Sequence, residues 1–79
     1  MRVVGEIPHP QCRITLLSWN NRYLIKIEQG LLEQTFKINQ FDLLQESDLG
    51  KVLDDKFIEN CLRRFDEMNE SLRAALDRL

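Results

Sequence analysis

Two neighbouring stretches of the chain alternate apolar and polar residues as half-buried strands do. The first is 12–19, Cys-Arg-Ile-Thr-Leu-Leu-Ser-Trp, and the second is 22–29, Arg-Tyr-Leu-Ile-Lys-Ile-Glu-Gln. Asn20 and Asn21 lie between them. Because asparagine tolerates positive φ, this pair can form the two-residue turn of a hairpin. The pattern therefore predicts an antiparallel hairpin.

A two-residue turn also fixes which residues of the hairpin face one another. Trp19 is expected opposite Arg22, and Arg13 opposite Glu28, which is an attractive pair of charges. Because side chains alternate across the pleat, each residue can be assigned to a face. The predicted core face carries Cys12, Ile14, Leu16, Tyr23, Ile25 and Ile27, and the other face carries Arg13, Thr15, Leu17, Trp19, Leu24, Lys26 and Glu28.

A third strand, 33–38, is predicted after Gly30. A two-residue turn at Gly30 would place Phe36 opposite Ile25 on the core face, and would set two glutamates against each other. A four-residue loop would keep the same faces, so both turn lengths stay open. Residues 12–38 are therefore predicted as a three-stranded antiparallel β-meander.

The segments before and after the meander lack this alternation. Residues 1–11 contain two prolines around His9, which disfavour both helix and central strand, so an extended lead-in is predicted. Residues 39–46 are predicted as a connection with Phe41, Leu43 and Leu44 anchored in the core.

Two helices are predicted after the connection. A short helix covers 47–53 with Ser47 as its N-cap, and a long helix covers 55–79 with Asp54 or Asp55 as its cap. At roughly 1.5 Å per residue the long helix measures about 36 Å, whereas a strand of eight residues measures about 26 Å. Its end is therefore expected to pass beyond the sheet. Its apolar residues recur at alternating intervals of three and four, at Ile58, Cys61, Phe65, Met68, Leu72, Ala75 and Leu79.

These elements together predict an α+β fold of the order β-β-β-α-α, in which the meander precedes a short helix and a long amphipathic C-terminal helix. The chain has 79 residues, so a single domain over 1–79 is expected. A domain of this size buries a modest fraction of its surface. Dimerisation is one way of adding buried area.

The composition is that of a folded globular chain, with 43% hydrophobic and 30% charged residues. A net charge of −2 argues against nucleic acid as a partner, because phosphate binding usually needs a basic surface. No apolar run approaches the roughly 20 residues that span a membrane, and no signal peptide is evident. We therefore expect a cytoplasmic protein without a membrane partner.

Candidate chemical groups are few. His9 and Cys12 have His-x-x-Cys spacing, but zinc needs three or four protein ligands, and Cys61 is the only other thiol. Both cysteines fall on apolar faces, which predicts structural thiols rather than nucleophiles. The adjacent Asp54 and Asp55 are more typical of a helix cap than of a cation site. We therefore predict no catalytic, cofactor or metal site, and a protein that is not an enzyme.

Two apolar surfaces are candidate interfaces. Leu17, Trp19 and Leu24 share the face turned away from the predicted core. One layer of helices covers one face of a sheet, so these residues form either a contact surface or a patch that residues 1–11 fold over. The second surface is the end of the long helix, with Leu72, Ala75, Leu76 and Leu79.

Several stretches resemble a group of small uncharacterised bacterial proteins. The resemblance is carried by 7–10 (Ile-Pro-His-Pro), by the strand residues 19–28 and 33–38, and by the helix residues 57–58 and 64–68. It implies a bacterial cytosolic origin. It implies no site residues, since the group has no established activity.

The favoured hypothesis is a non-enzymatic protein-interaction module that self-associates as a homodimer, through the helix or through the sheet. A different protein partner is also left open. The alternatives are a nucleic-acid-binding module that uses the open sheet face, by analogy of fold, and an enzyme without a readable motif.

Overall fold

The sheet is antiparallel and has four strands, in the order in which they occur along the chain. The computed structural model describes residues 1–79. The α+β class is confirmed, whereas the three-stranded meander and the order β-β-β-α-α are wrong, because an additional strand precedes the predicted three. The elements are β1 (Arg2–Ile7), β2 (Arg13–Trp19), β3 (Arg22–Gln29), β4 (Leu32–Asn39), a 3-10 turn (Gln40–Asp42), α1 (Asp48–Val52) and α2 (Asp55–Asp77).

The additional strand, β1, lies within the segment predicted as an extended lead-in. It pairs with β2 at one edge of the sheet, and both prolines follow its last residue, so they do not interrupt the ladder. The register shifts between Val3 and Gly5. Val3 therefore lies opposite Leu17 on the face away from the core, while Val4 and Ile7 pack against the core. β1 extends the sheet and does not fold over its open face.

The hairpin of β2 and β3 has the predicted register. Trp19 lies opposite Arg22, and Arg13 lies opposite Glu28. Asn20 and Asn21 have φ values of 53° and 61°, as a two-residue primed turn requires. Cys12 is half-buried, and the other residues of the predicted core face are buried, namely Ile14, Leu16, Tyr23, Ile25 and Ile27.

The turn between β3 and β4 has two residues and begins at Gly30, whose φ of 59° costs glycine little. Phe36 consequently faces the core. The same register sets Glu28 opposite Glu33 on the open face. The Lys26 Nζ lies 3.5 Å from the Glu33 carboxylate and 4.0 Å from that of Glu28. This ammonium offsets the repulsion between the two glutamates.

Helix α2 closes the core by packing on the inner face of the sheet. Its residues Ile58, Cys61 and Phe65 are buried against the strands. Asp54 caps it, since its carboxylate accepts a hydrogen bond from the Phe57 N–H at 2.8 Å. The prediction of a cap at Asp54 or Asp55 is thereby narrowed to Asp54.

The entry to α1 has the predicted N-cap residue, Ser47, but not the capping hydrogen bond expected of its side chain. Instead, the Asp48 carboxylate accepts hydrogen bonds from the backbone N–H groups of Leu44 and Gln45 at 3.1 and 3.2 Å. These two hydrogen bonds to a carboxylate tie the connection to the first residue of the helix. Ser47 is therefore confirmed at the N-cap position, but its side chain does not cap the helix.

The connection before α1 also differs. Phe41 and Leu44 are 83% and 101% exposed, and only Leu43 packs against the core. The Asn39 side chain accepts a hydrogen bond from the Phe41 N–H at 3.1 Å, which holds a tight turn there. Such a local turn satisfies its own backbone but directs Phe41 outwards. The prediction that Phe41 and Leu44 anchor in the core is wrong.

Candidate functional site

The residues predicted to form an interface lie on two separate surfaces. Leu72, Ala75, Leu76 and Leu79 form the helix-end surface, on the last part of α2 and beyond it. Leu17, Trp19 and Leu24 form the open-face patch, on the side of the sheet opposite the core. Because α2 packs on the inner face, the structure does not bring the two sets together.

The helix-end surface continues the apolar seam that packs against the sheet. Phe65 is fully buried, and Met68 is the last helix residue that packs against the core. Beyond Met68 the seam has no covering layer: Leu72, Leu76 and Leu79 are 47%, 55% and 100% exposed, and Ala75 is half-buried. The helix has 23 residues, or about 34 Å at 1.5 Å per residue.

A groove lies where α2 leaves β4, with a volume of about 700 Å³. Gln34 forms part of its wall and donates a hydrogen bond from Nε2 to the Cys61 carbonyl at 2.8 Å. The Gln34 Oε1 is buried and has no donor. A buried acceptor without a partner costs free energy. The other lining residues are Leu32, Arg64, Glu67, Met68, Ser71 and Leu72.

The open-face patch is less exposed than the sequence implied. Trp19 is 44% exposed, but Leu24 is only 7% exposed, although it lies outside the core cluster and no helix covers it. Leu24 is on the central strand β3, opposite Leu17 on one side and Lys37 on the other. Neighbouring side chains therefore shield it, and α2 plays no part.

Paired and unpaired charged residues are distributed unequally over the open face of the sheet. The Arg13 guanidinium binds the Glu6 carboxylate at 3.0 Å, and Lys26 lies between two glutamates. Arg22 and Lys37, on either side of Leu24, form no salt bridge. The sequence prediction of the interface did not include these two cations or Val3. The place of Val3 follows only from the pairing of β1 with β2, whereas Arg22 lies beside Trp19 through the hairpin register itself.

The chemically reactive side chains lie away from both surfaces. The His9 Nδ1 accepts a hydrogen bond from the Gln11 N–H at 3.1 Å. Cys12 and Cys61 are free thiols, and burial raises the pKa of each. A raised pKa disfavours the nucleophilic thiolate at neutral pH. The Arg64 guanidinium, 3.8 Å from the Cys61 sulfur, opposes this shift only in part.

The remaining candidate features are possible metal ligands and possible membrane-spanning helices. No group of three or more His, Cys, Asp and Glu side chains is close enough to hold a metal ion. None of the helices combines the length and the apolar character needed to cross a membrane. Compared with known proteins, the chain matches no protein-family model, no curated protein and no solved structure.

Proposed function

We propose that this protein is a non-enzymatic interaction module that forms a homodimer through the helix-end surface. The observation that carries the proposal is the row of leucines Leu72, Leu76 and Leu79, about half exposed or more. Single exposed leucines are ordinary. In this protein the three leucines continue an apolar seam that is buried along the first part of α2. A continuous apolar stripe that extends beyond the core of its own chain favours a binding partner.

The overall dimensions support this proposal. A monomer of 9.4 kDa is expected to expose about 5,000 Å², and this chain exposes 5910 Å². The excess is comparable with the roughly 800 Å² that each partner contributes to a standard interface. The radius of gyration is 14.3 Å, whereas a compact chain of this length has about 11.6 Å. The molecule is accordingly elongated, with extents of 46, 25 and 18 Å.

The sequence of the helix end is compatible with pairing along the seam. Apolar residues repeat there at intervals of three and four, which is the spacing of a coiled-coil seam. The polar residues at the heptad positions that flank this seam are Asn69, Ser71 and Arg78, of which only Arg78 is charged. Two copies of α2 can therefore pack side by side without forcing rows of like charges together.

The helix is favoured over the sheet as the dimer contact for two reasons. Leu24, at the centre of the open-face patch, is already buried within its own chain. A symmetric dimer through that face would also bring the cations Arg22 and Lys37 of one copy towards those of the other. Neither cation has an acidic partner that could offset the repulsion.

A pair of adjacent alanines provides a matched test. Ala75 is half-buried on the seam, and Ala74 is exposed beside it. Ala75→Asp is expected to weaken dimerisation by about 100-fold or more, because a carboxylate would be buried without a partner. Ala74→Asp introduces the same residue, and so the same helix propensity and charge, beside the seam. It is expected to leave the dimer intact. Sedimentation equilibrium of both variants measures the dissociation constants.

Equal dissociation constants for Ala74→Asp and Ala75→Asp would contradict the helix-mediated dimer. Circular dichroism provides the folding control, since both variants should retain the helix content of the parent. A dimer that survives Ala75→Asp but dissociates on Trp19→Ala would move the contact to the sheet.

A further inference from the structure

The open face of the sheet is divided into two halves of different character. At one end, Glu6, Glu28 and Glu33 are paired with Arg13 or Lys26, so the charges largely cancel. The other end carries two cations and no acidic residue. That end consists of Val3, Leu17, Leu24 and Lys37 in one row across the strands, with Trp19 and Arg22 beside it.

This second end combines exposed apolar area with unneutralised positive charge. Val3 and Trp19 are 63% and 44% exposed. At about 4.8 Å between strands, the row from Val3 to Lys37 extends about 14 Å across the sheet. Tryptophan and arginine are both enriched among the residues that contribute most to protein interfaces. The surface is therefore an apolar strip with one cation, Lys37, at its end and another, Arg22, beside it.

We propose that this end of the open face binds a peptide segment of a partner protein in which apolar residues are flanked by aspartate or glutamate. Apolar side chains of the segment pack on Val3, Leu17 and Trp19. Its carboxylates pair with Arg22 and Lys37, the two cations on this face that have no partner within the chain. The charge of the surface thus selects the acidic character of the ligand.

A peptide fits this surface better than a nucleic acid. Single-stranded nucleic acids use several aromatic side chains as stacking platforms along a basic groove. Here Trp19 is the only exposed aromatic residue on the face, and its nearest neighbours in the apolar row, Val3 and Leu17, are aliphatic. Two cations would also neutralise few phosphates.

The docking surface and the proposed dimer contact are independent. One lies on the outer face of the sheet, and the other lies on α2, which packs on the inner face. The peptide is therefore expected to bind the dimer and the Ala75→Asp variant alike. Peptide binding can be measured when dimerisation is lost, and dimerisation can be measured when peptide binding is lost. The two proposals can therefore be tested separately.

The test uses fluorescein-labelled peptides in which Phe and Leu alternate with Asp and Glu. Twins with Lys in place of every acidic residue, and a labelled oligothymidylate, serve as competing ligands. Binding is measured by anisotropy and by the fluorescence of Trp19, which is the single tryptophan of the chain. The full chain is used throughout, and thermal melts confirm that each variant is folded.

Acidic peptides are expected to bind, and their lysine twins are not. Arg22→Gln and Lys37→Gln together, or Trp19→Ala alone, are expected to weaken binding by about tenfold or more. Arg13→Gln removes a cation of the same face that is already paired with Glu6, and should change binding less than about twofold. The proposal is overturned if no acidic peptide binds, if the lysine twins bind equally, if Arg13→Gln is as harmful as Arg22→Gln, or if oligothymidylate binds more tightly.

Discussion

The two halves of α2 carry the same apolar periodicity but differ in what covers them. In the first half, Ile58, Cys61 and Phe65 lie against the sheet and are buried. In the second half, Leu72 and Leu76 occupy the equivalent side of the helix and are about half exposed. The strands are too short to reach the second half. The periodicity of a helix therefore identifies its apolar side, whereas the extent of the neighbouring layer decides how much of that side is covered.

The largest expected effect is a difference in the free energy of unfolding between substitutions in the two halves of α2. Phe65→Ala should reduce the free energy of unfolding by about 3–5 kcal/mol, because it opens a cavity in the core. Leu76→Ala should change it by less than about 0.5 kcal/mol when measured in the Ala75→Asp background, where the chain is expected to be monomeric. Urea denaturation followed by circular dichroism gives both values. Similar losses for the two substitutions would show that the second half is packed within its own chain.

A smaller effect is expected at the start of the buried half. Asp54→Ala should destabilise the protein by about 1 kcal/mol, because the Phe57 N–H loses its capping acceptor. Asp55→Ala is the control, since Asp55 lies in the first turn and contributes only through the helix dipole. Chemical denaturation at one pH compares the two variants. A greater loss for Asp55→Ala would contradict the assignment of the cap.

The smallest expected effect concerns pH and the short helix that precedes the buried half. Burial acts to raise the pKa of Asp48, but hydrogen bonds from the Gln45 and Leu44 backbone and the Lys51 side chain outweigh it, so the pKa is lowered. A lowered pKa contributes stability above the ordinary carboxyl pKa, and this is lost as pH falls through the folded value. Asp48→Asn should therefore be less stable than the parent at pH 7. The difference should shrink below about pH 4.

Thermal unfolding of both proteins between neutral and acidic pH measures this difference. A gap between parent and Asp48→Asn that stays constant down to the lowest pH would show that the charge of Asp48 is not what stabilises the connection. The result bears on the buried half of α2, because α1 contributes Leu49 to the same core.

The parts of the fold that the sequence predicted are those controlled by local chemistry. The asparagine turn fixed the register of β2 and β3, and that register assigned every core residue of the hairpin to its face. The acidic residue before α2 and the spacing of its apolar positions placed the helix to within two residues at either end. Each of these depends on backbone preferences or on a short repeat.

The parts that were missed depend on partners distant in the chain. β1 has a weak pattern of its own, with a glycine and an irregular register, and becomes a strand because β2 offers a free edge. Phe41 is as apolar as any core residue, yet a local turn holds it outside. Val3 became part of the open face through the pairing of β1 with β2. None of these depends on a pattern that a single segment carries.

The most direct test of the account is the solution mass of the unmodified protein, measured by light scattering behind a sizing column over a dilution series. The account predicts a mass near twice 9.4 kDa at high concentration, falling towards the monomer on dilution as the helix-end surfaces separate. A mass of 9.4 kDa at every concentration would contradict it, because the exposed second half of α2 would then have no partner in a second copy of the chain.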